Sequence, residues 1–306
     1  MPELPDIELY VTSLRERVLG RTLRRARIVS PFVLRTFEPP IETIEGKTVE
    51  RLRRAGKRIV FEFAGEPDEP LLLAIHLMIA GRLRSSAKTG AKPPGKVGLA
   101  SLDFENGTLL LVESSPKKRA SIHLLRGEAA LAALSPPGLN VLGIDLTTFA
   151  QQLRSENHTV KRSLTDPRLF DGIGNAYSDE ILHAAKLSPV KLTSRLTEDE
   201  VARLYDATRT TLTTWTNRLR EEFAGKFPGP GDVTAFRPDF AVHGRFGQSC
   251  PVCGTTVQRI RYAENETNYC PRCQTDGVVL ADRSLSRLLK DDWPRSIDEW
   301  EAERGG

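Results

Sequence analysis

The chain has 306 residues, of which 39% are hydrophobic and 27% charged, and a net charge of +4, an ordinary globular composition with room for two domains. Its longest apolar run, Leu71–Leu77, is strand-length and falls well short of the roughly 18 to 20 residues that a membrane helix needs. Because the start of the chain also lacks a secretory signal pattern, we expect a cytoplasmic protein with no membrane partner.

The first elements in chain order are predicted to be one helix and then strands. Apolar spacing predicts a helix over Val11–Val18, which Gly20 ends. Alternating apolar residues in Ile59–Phe63 predict a half-buried strand, and Leu71–Leu77 predicts a more fully buried one.

A hairpin is predicted next. The segments Leu99–Phe104 and Thr108–Glu113 flank Asn106-Gly107, a pair that favours a tight turn because both residues tolerate positive φ. The Gly-, Pro- and Lys-rich segment Thr89–Gly98 before it predicts a loop.

After a break at residues 135–138 the pattern becomes helical. Helices are predicted over Asp179–Ala185 and Glu198–Leu219, and Thr197 with Glu200 forms a capping-box pattern before the second. We therefore predict domains at residues 1–136, 137–241 and 242–280, followed by a tail at 281–306 that contains one short amphipathic stretch, Leu285–Leu289.

Basic residues are clustered rather than spread evenly. Clusters occur at residues 15–27, 51–58 and 117–119, whereas the last sixteen residues are acidic. This distribution suits a polyanionic partner, although clusters of this kind also occur as solvated surface arginines.

All four cysteines of the chain, Cys250, Cys253, Cys270 and Cys273, form two C-x2-C pairs with 16 residues between them. This spacing is typical of zinc sites, and four thiolate ligands indicate a closed structural site without an open position for substrate. A zinc ribbon alone does not determine a function.

The chain begins Met1-Pro2-Glu3, and removal of Met1 would leave a secondary amine on Pro2. An α-amino group titrates near 8, so part of it is neutral at physiological pH and can condense with a sugar carbon of aldehyde oxidation level. The adjacent Glu3 can relay a proton. Taken alone, a Met-Pro start also arises by chance.

Two further segments suit phosphate binding. Lys57 lies in a basic turn before the predicted strand at Ile59–Phe63, where it can contact a phosphate, although a generic surface lysine fits as well. The Gly-rich segment 171–177 precedes a predicted helix, and its backbone N–H groups and Asn175 can bind a phosphate, although such turns also merely join helices.

Together and in this order, these segments resemble the formamidopyrimidine-DNA glycosylase and endonuclease VIII (Fpg/Nei) family. The start MPELPDIE, Lys57, the segment Leu164–Tyr177 and the segment Val242–Cys273 are similar to that family's N-terminal motif, hairpin lysine, helix-two-turns-helix motif and zinc finger. The resemblance spans roughly residues 1 to 273.

The resemblance implies an α+β fold, with an N-terminal β-sandwich flanked by helices and a C-terminal helix-two-turns-helix domain that ends in a four-cysteine zinc-finger β-hairpin, and with DNA in the cleft between the two domains. It implies a monomeric base-excision repair glycosylase that binds one structural zinc ion and acts on double-stranded DNA containing damaged, oxidised or abasic sites.

The resemblance also implies residue roles. Pro2 would attack C1′ of the damaged nucleotide and expel the base, Glu3 would act as general acid and base, and Lys57 would hold the backbone. The Schiff base then permits strand cleavage, which makes the enzyme a lyase as well. Asp6 is a further site carboxylate, and the implied DNA-binding residues are His76, Lys117, Arg119, Lys161 and Asn175.

Four positions depart from the family pattern. One is Asp6, which replaces the usual Glu and shortens a site carboxylate by one methylene. Ile79 and Arg119 stand where the family inserts a methionine and a phenylalanine into the DNA, with Lys117 near its arginine, and Met78 can serve as the wedge by a register shift. Asn265, beside Glu264 and Glu266, replaces the zinc-finger arginine. These changes leave open an alternative, a non-catalytic relative that recognises damaged or unusual DNA.

Overall fold

The computed structural model describes residues 1–66, 69–134, 138–262, 265–281 and 293–302. The chain divides into two compact units, the first formed by Met1–Pro137 with Thr214–Ala235 and the second by Gly138–Thr213 with Phe236–Gly306. The predicted boundary at residues 136 and 137 lies outside the described residues, as do Ala263, Glu264 and the amphipathic stretch Leu285–Leu289.

The first unit is a β-sandwich with helices. Its helices are α1 (Leu4–Val18) and α2 (Gly127–Ala133), and its strands are β1 (Leu23–Ile28), β2 (Val49–Ala55), β3 (Arg58–Glu66), β4 (Glu69–His76), β5 (Gly81–Ser86), β6 (Gly98–Phe104), β7 (Gly107–Glu113) and β8 (Ser121–Arg126). Two antiparallel four-stranded sheets form, in the orders β1-β6-β7-β5 and β2-β3-β4-β8.

One hydrophobic core lies between these sheets. It includes Phe61 and Phe63 of β3 and Leu102 and Phe104 of β6, all almost completely buried. Helix α1 packs its apolar side, including Tyr10, into the same core. The predicted sandwich flanked by helices is therefore confirmed.

Helix α1 begins at Leu4, seven residues earlier than predicted. Pro5 occupies its first turn, where the missing N–H costs nothing because the first donors of a helix lack intrahelical partners. The early start places Pro2 and Glu3 directly at the N-terminal end of the helix, with Glu3 as its N-cap.

The β6–β7 hairpin forms as predicted, but its turn is shifted by one residue. Phe104 pairs with Gly107, so the turn residues are Glu105 and Asn106. Gly107 is the first strand residue, has φ of 152°, and passes so close to Ser86 that an added Cβ would lie 2.4 Å from the Ser86 carbonyl oxygen. Only glycine fits this close approach.

The second unit is helical and ends in a small hairpin. Its helices are α3 (Leu146–Arg154), α4 (Val160–Thr165), α5 (Asn175–Ala184), α6 (Glu198–Glu222, whose last turns belong to the first unit), α7 (Pro271–Gln274) and α8 (Ile297–Ala302), and its strands are β9 (Gln258–Tyr262) and β10 (Asn265–Tyr269). None of the described helices has the length and hydropathy to span a bilayer.

The helix starts show how local sequence determines this unit. The predicted capping box before α6 is confirmed, since Thr197 N–H donates to Glu200 at 3.0 Å and Glu200 N–H donates to the Thr197 hydroxyl at 3.2 Å. Helix α5 begins at Asn175, four residues before the predicted start at Asp179, because the extended Gly174 already serves as its N-cap.

Part of the C-terminal tail packs on the cysteine-bearing segment. Ile297 is fully buried and its N–H donates to Gly277 O at 2.8 Å, while the Thr256 hydroxyl donates to the Glu301 carboxylate at 2.9 Å. Val279 N–H donates to Arg295 O at 3.2 Å. The tail residues 293–302 therefore form part of this small module.

Candidate active site and zinc centre

The N-terminus lies in a buried, charged environment of the first unit. Pro2 is buried and Glu3 is only 3% exposed. In the full chain the terminal amine is that of Met1, and burial lowers its pKa. The negative charge of Glu3 acts against this shift, whereas the positive charges of Arg82 and Lys57 add to it. A terminal amine here is neutral over a wider pH range than in solution, and only the neutral amine is nucleophilic.

Asp6 has a positional role that its sequence context did not reveal. Its carboxylate accepts the backbone N–H of Glu3 at 2.9 Å, and its side chain is buried. Such a bond satisfies one of the open donors at a helix start and fixes the entry angle of the chain. Asp6 thus anchors the peptide that carries Pro2 and Glu3.

Lys57 lies in the two-residue turn between β2 and β3, after Gly56, whose φ of 59° favours glycine. Arg54 supports this turn, since its Nη1 donates to Gly56 O at 2.8 Å while its Nε lies 3.4 Å from Glu8 of α1. The other Glu8 oxygen accepts from Arg220 at 3.0 Å. Through Glu8 and Arg54, the helix that bears Pro2 is connected to the turn that bears Lys57.

His76 ends β4 beside this turn, paired in register with Arg58. Burial lowers its pKa to about 4, and the positive charges of Arg58 and Lys57 add to the shift. Its Nδ1 lies 3.1 Å from Met78 N–H, which donates to it, so the proton of the neutral ring is on Nε2. His76 can therefore donate to a phosphate without carrying a charge.

The turn after His76 presents Ile79 to solvent. Met78 adopts a positive φ of 53°, which is unusual for a residue with a side chain, and the Ile79 side chain is 58% exposed. Arg82 Nη1 donates to the Ile79 carbonyl at 3.0 Å. An exposed apolar residue on a braced turn is suited to contact stacked bases.

The loop between β7 and β8 carries the exposed Lys117 and Arg119. It is fixed by Glu113, a carboxylate 1% exposed that accepts the N–H groups of Arg119 at 2.9 Å and Ala120 at 3.0 Å. Lys118 also donates to the Glu113 carbonyl. The backbone of this basic loop is thus ordered, while the side chains of Lys117 and Arg119 face water.

The four cysteines come together in the second unit. Their sulfur atoms all lie within 4.8 Å of one another, with 3.4 Å between Cys253 and Cys270 and 4.0 Å between Cys250 and Cys273. Tetrahedral zinc with bonds of about 2.3 Å separates its sulfurs by about 3.8 Å, whereas a disulfide needs about 2.05 Å. The cluster fits one structural zinc ion, which the cysteine spacing predicted.

Asn175 and Lys161 meet at the start of α5. The Asn175 amide donates to Glu266 O on β10 at 2.8 Å. Lys161 of α4 donates to Asn175 O at 3.3 Å and forms an ion pair with Asp179. Both predicted DNA-binding residues are thus engaged within the protein and join α4, α5 and the hairpin.

Asp179 is a residue that sequence reasoning missed. Its carboxylate is buried and, besides Lys161, accepts from His243 Nδ1 at 2.7 Å and from Asn268 N–H at 3.0 Å. The next residue, Glu180, accepts three backbone N–H groups of residues 241–243 at 2.7 to 2.9 Å. Polar residues inside an otherwise apolar helix were the available signal, because such residues are seldom buried unpaired.

The residues at the position of the family's zinc-finger arginine lie at the start of β10. Asn265 begins β10 and pairs with Tyr262, while Glu264 lies outside the described residues. Glu266 is described and accepts from Arg259 at 3.1 Å, with Arg261 at 3.6 Å. Two arginines of β9 therefore flank this carboxylate.

With this geometry established, comparison with known proteins assigns a family. Family profiles match in three places: the formamidopyrimidine-DNA glycosylase N-terminal domain over residues 1–118, its H2TH domain over 140–218, and the zinc finger found in FPG and IleRS over 247–275.

Relatives match over most of the chain. A formamidopyrimidine-DNA glycosylase of Symbiobacterium thermophilum is 31% identical over 291 residues, covering 92% of this chain and 93% of that protein. An uncharacterized formamidopyrimidine-DNA glycosylase-like protein of Mycobacterium tuberculosis is 40% identical over 158 residues, 52% of this chain and 95% of that protein.

Solved structures agree with these relatives. The Lactococcus lactis Fpg bound to DNA containing an oxidized pyrimidine matches with a TM-score of 0.76 and 27% identity, covering 90% of this chain and all of that one. The same protein bound to abasic-site DNA matches with a TM-score of 0.76, covering 89% of this chain and 99% of that one. The chain belongs to the formamidopyrimidine-DNA glycosylase family. It is therefore a DNA glycosylase of base-excision repair with lyase activity.

Proposed function

We propose that this enzyme removes damaged bases from double-stranded DNA and cleaves the strand through a Schiff base on Pro2, acting as a monomer. The observation that carries the proposal is the position of the N-terminus, where Pro2 is buried next to the buried Glu3 at the start of α1. Burial also lowers the pKa of the amine on Met1, the residue before Pro2. The related L. lactis structures hold DNA with an oxidized pyrimidine and DNA with an abasic site, which supports substrates of this kind.

The residues of the first unit have distinct roles in this proposal. The Pro2 nitrogen attacks C1′ and the bond from C1′ to the base breaks. The departing base keeps the bonding electrons and takes up the proton that the Pro2 nitrogen loses. Glu3 protonates the ring oxygen as the sugar opens, which leaves an iminium between Pro2 and C1′. Loss of a C2′ proton then expels the 3′ phosphate and cuts the strand.

Other residues of the first unit position the DNA in this proposal. Lys57 contacts the backbone near the lesion, and the neutral His76 donates from Nε2 to a neighbouring phosphate. Ile79, exposed on its turn, fills the gap that the extruded nucleotide leaves, with Arg119 and Lys117 close to the phosphates of the same region.

The second unit supplies phosphate contacts in this proposal. The N-terminus of α5 offers backbone N–H groups at its Gly-rich approach, where Asn175 is oriented by Lys161 and by the hairpin carbonyl of Glu266. Lys161 thus acts on DNA chiefly by positioning Asn175, because its ammonium group is already paired with Asp179.

Borohydride trapping tests the proposal. Reduction during reaction with an abasic-site duplex should convert the iminium to a stable covalent complex, and Pro2→Gly should reduce the amount trapped by at least tenfold. A matched control keeps Pro2 but retains a short N-terminal extension, which blocks the amine while every native side chain remains. Both variants should still bind DNA.

Two results would overturn this function. Undiminished trapping by the extended protein would place the nucleophile elsewhere, and a wild-type protein that binds damaged duplexes but never traps would instead be the non-catalytic DNA-binding relative. Mass spectrometry of the intact protein establishes beforehand that Met1 has been removed.

A further inference from the structure

Helix α5 contacts the cysteine-bearing module at several points along its length. Near its start Asp179 accepts from Asn268 of β10, and Glu180 accepts the three N–H groups of residues 241–243. One turn further along, His183 reaches the cysteine cluster itself. Residues 179 and 183 are four apart and therefore share one face of the helix.

The His183 contact is unlike the others because its partner is a zinc ligand. His183 Nε2 lies 3.3 Å from Cys250 Sγ, and the two residues are only 6% and 2% exposed. Water therefore does not compete for this contact. Cys250 also receives no other side-chain donor among the described hydrogen bonds apart from its fellow ligand Cys273.

We propose that His183 is an outer-sphere partner of the zinc ion, donating Nε2–H to the Cys250 thiolate and slowing zinc release. A metal-bound thiolate can only accept a hydrogen bond, so the ring must carry its proton on Nε2 in the zinc-loaded protein. The inference depends on the zinc centre alone and stands whether or not Pro2 is the nucleophile.

Charge explains why this contact stabilises the site. Four thiolates on one divalent ion leave two net negative charges in a largely buried cluster, and each donor to sulfur disperses part of that charge. Outer-sphere hydrogen bonds of this kind typically change metal affinity by about 10- to 100-fold. The bond also fixes the Cys250 knuckle against α5, whose first residue, Asn175, contacts β10.

Zinc release provides the direct test. The zinc-loaded protein is mixed with excess 4-(2-pyridylazo)resorcinol at pH 7.5, and the absorbance of the chelate gives the release rate. We expect His183→Phe, which fills the space without a donor, to release zinc about tenfold faster or more. His183→Gln keeps an N–H donor and should lie much closer to wild type.

His158→Gln is the matched control, since His158 contacts Glu156 and not the cysteine module. It should release zinc at the wild-type rate. A His183→Phe protein that holds one zinc and releases it as slowly as wild type would overturn the proposal, as would a His183→Gln protein no slower than His183→Phe.

A spectroscopic measurement separates hydrogen bonding from general packing. In cobalt-substituted protein the sulfur-to-metal charge-transfer band depends on the energy of the thiolate lone pairs, which a donor lowers. We expect the band to move to lower energy in His183→Phe and to stay near its wild-type position in His183→Gln. An unmoved band in both variants would mean that His183 only fills space.

Discussion

At the scale of single residues, the first unit contains ionisable groups whose surroundings decide their chemistry. Glu3 and Asp6 are three positions apart and both buried, and they form a capping box in which each side chain accepts the backbone N–H of the other residue. His76 is kept neutral by burial and by Arg58 and Lys57. The residue types were readable from the sequence, but the protonation state of His76 depends on burial and on the charges of Arg58 and Lys57, which lie 18 and 19 positions away along the chain.

The lowered pKa of His76 predicts that the folded protein loses stability in acid. The pKa is about 4 in the folded protein and 6.5 for an ordinary exposed ring, so the unfolded chain takes up the proton first as pH falls. Stability should therefore decrease between about pH 6.5 and 4, by up to about 3 kcal/mol from this residue, and should be unaffected by it above pH 7.

Urea unfolding at several pH values measures this effect. His76→Asn retains an acceptor for Met78 N–H and does not titrate, so its stability should fall less steeply over that interval. His123, whose pKa is also lowered by burial, is present in both proteins, so the stability of the variant should still fall somewhat as the pH decreases. Identical pH profiles for the variant and wild type would refute the assignment.

At the scale of elements, the start of α1 and the β2–β3 turn act together. Glu8 contacts both Arg54 and Arg220, and Arg54 in turn donates to Gly56 O beside Lys57. Arg54 is a positioning residue, since its side chain is only 7% exposed and cannot itself lie along DNA. One buried guanidinium thus connects the helix that follows Pro2 and Glu3 to the turn that bears Lys57.

Replacing Arg54 tests this coupling. We expect Arg54→Gln to lower the single-turnover rate of cleavage of an abasic duplex about tenfold at saturating enzyme, with a smaller change in DNA affinity. Arg54→Lys should restore little of the lost cleavage rate, because an ammonium group lacks the planar guanidinium geometry that reaches two acceptors. Arg51→Gln, an exposed position on the same strand, is the control. Equal rates for the two Gln variants would contradict the role.

At the scale of the whole molecule, the modest net charge conceals an uneven distribution. Basic clusters occupy the N-terminal half, whereas the last sixteen residues contain six acidic and two basic residues. In this tail Asp298 pairs with Arg272 and Glu301 accepts from Thr256. Phosphate binding by such a protein releases counterions, so its DNA affinity should fall as salt rises.

The zinc module should couple stability to DNA binding. Cys270→Ser removes a buried ligand, and because zinc binding is coupled to folding of such modules, we expect loss of zinc, lower thermal stability and at least a tenfold loss of DNA affinity. Fluorescence anisotropy at several salt concentrations measures the affinity. Wild-type protein stripped of zinc and then reloaded is the control, and unchanged DNA binding by zinc-free protein would reject the coupling.

The sequence by itself determined the elements and chemistry that depend on local pattern. Cysteine spacing predicted the zinc ligands, strand alternation predicted β3, a continuous apolar run predicted β4, and the Thr197–Glu200 box predicted the start of α6, because each signal is a pattern within one short stretch of sequence. The order of the motifs was enough to predict the family. Asp6, in contrast, is predicted only as a site carboxylate, and its anchoring of Glu3 becomes visible only in the folded chain.

Only the tertiary structure decided which polar residues meet. Asp179 and His243 are 64 positions apart, and His183 and Cys250 are 67 apart. The periodicity of a helix or strand in the sequence therefore cannot predict that these residues meet. The one-residue shift of the β6–β7 turn follows from the approach of Gly107 to Ser86, a contact with another strand. Burial makes such pairings obligatory, since a polar group removed from water must find a partner wherever the fold brings one.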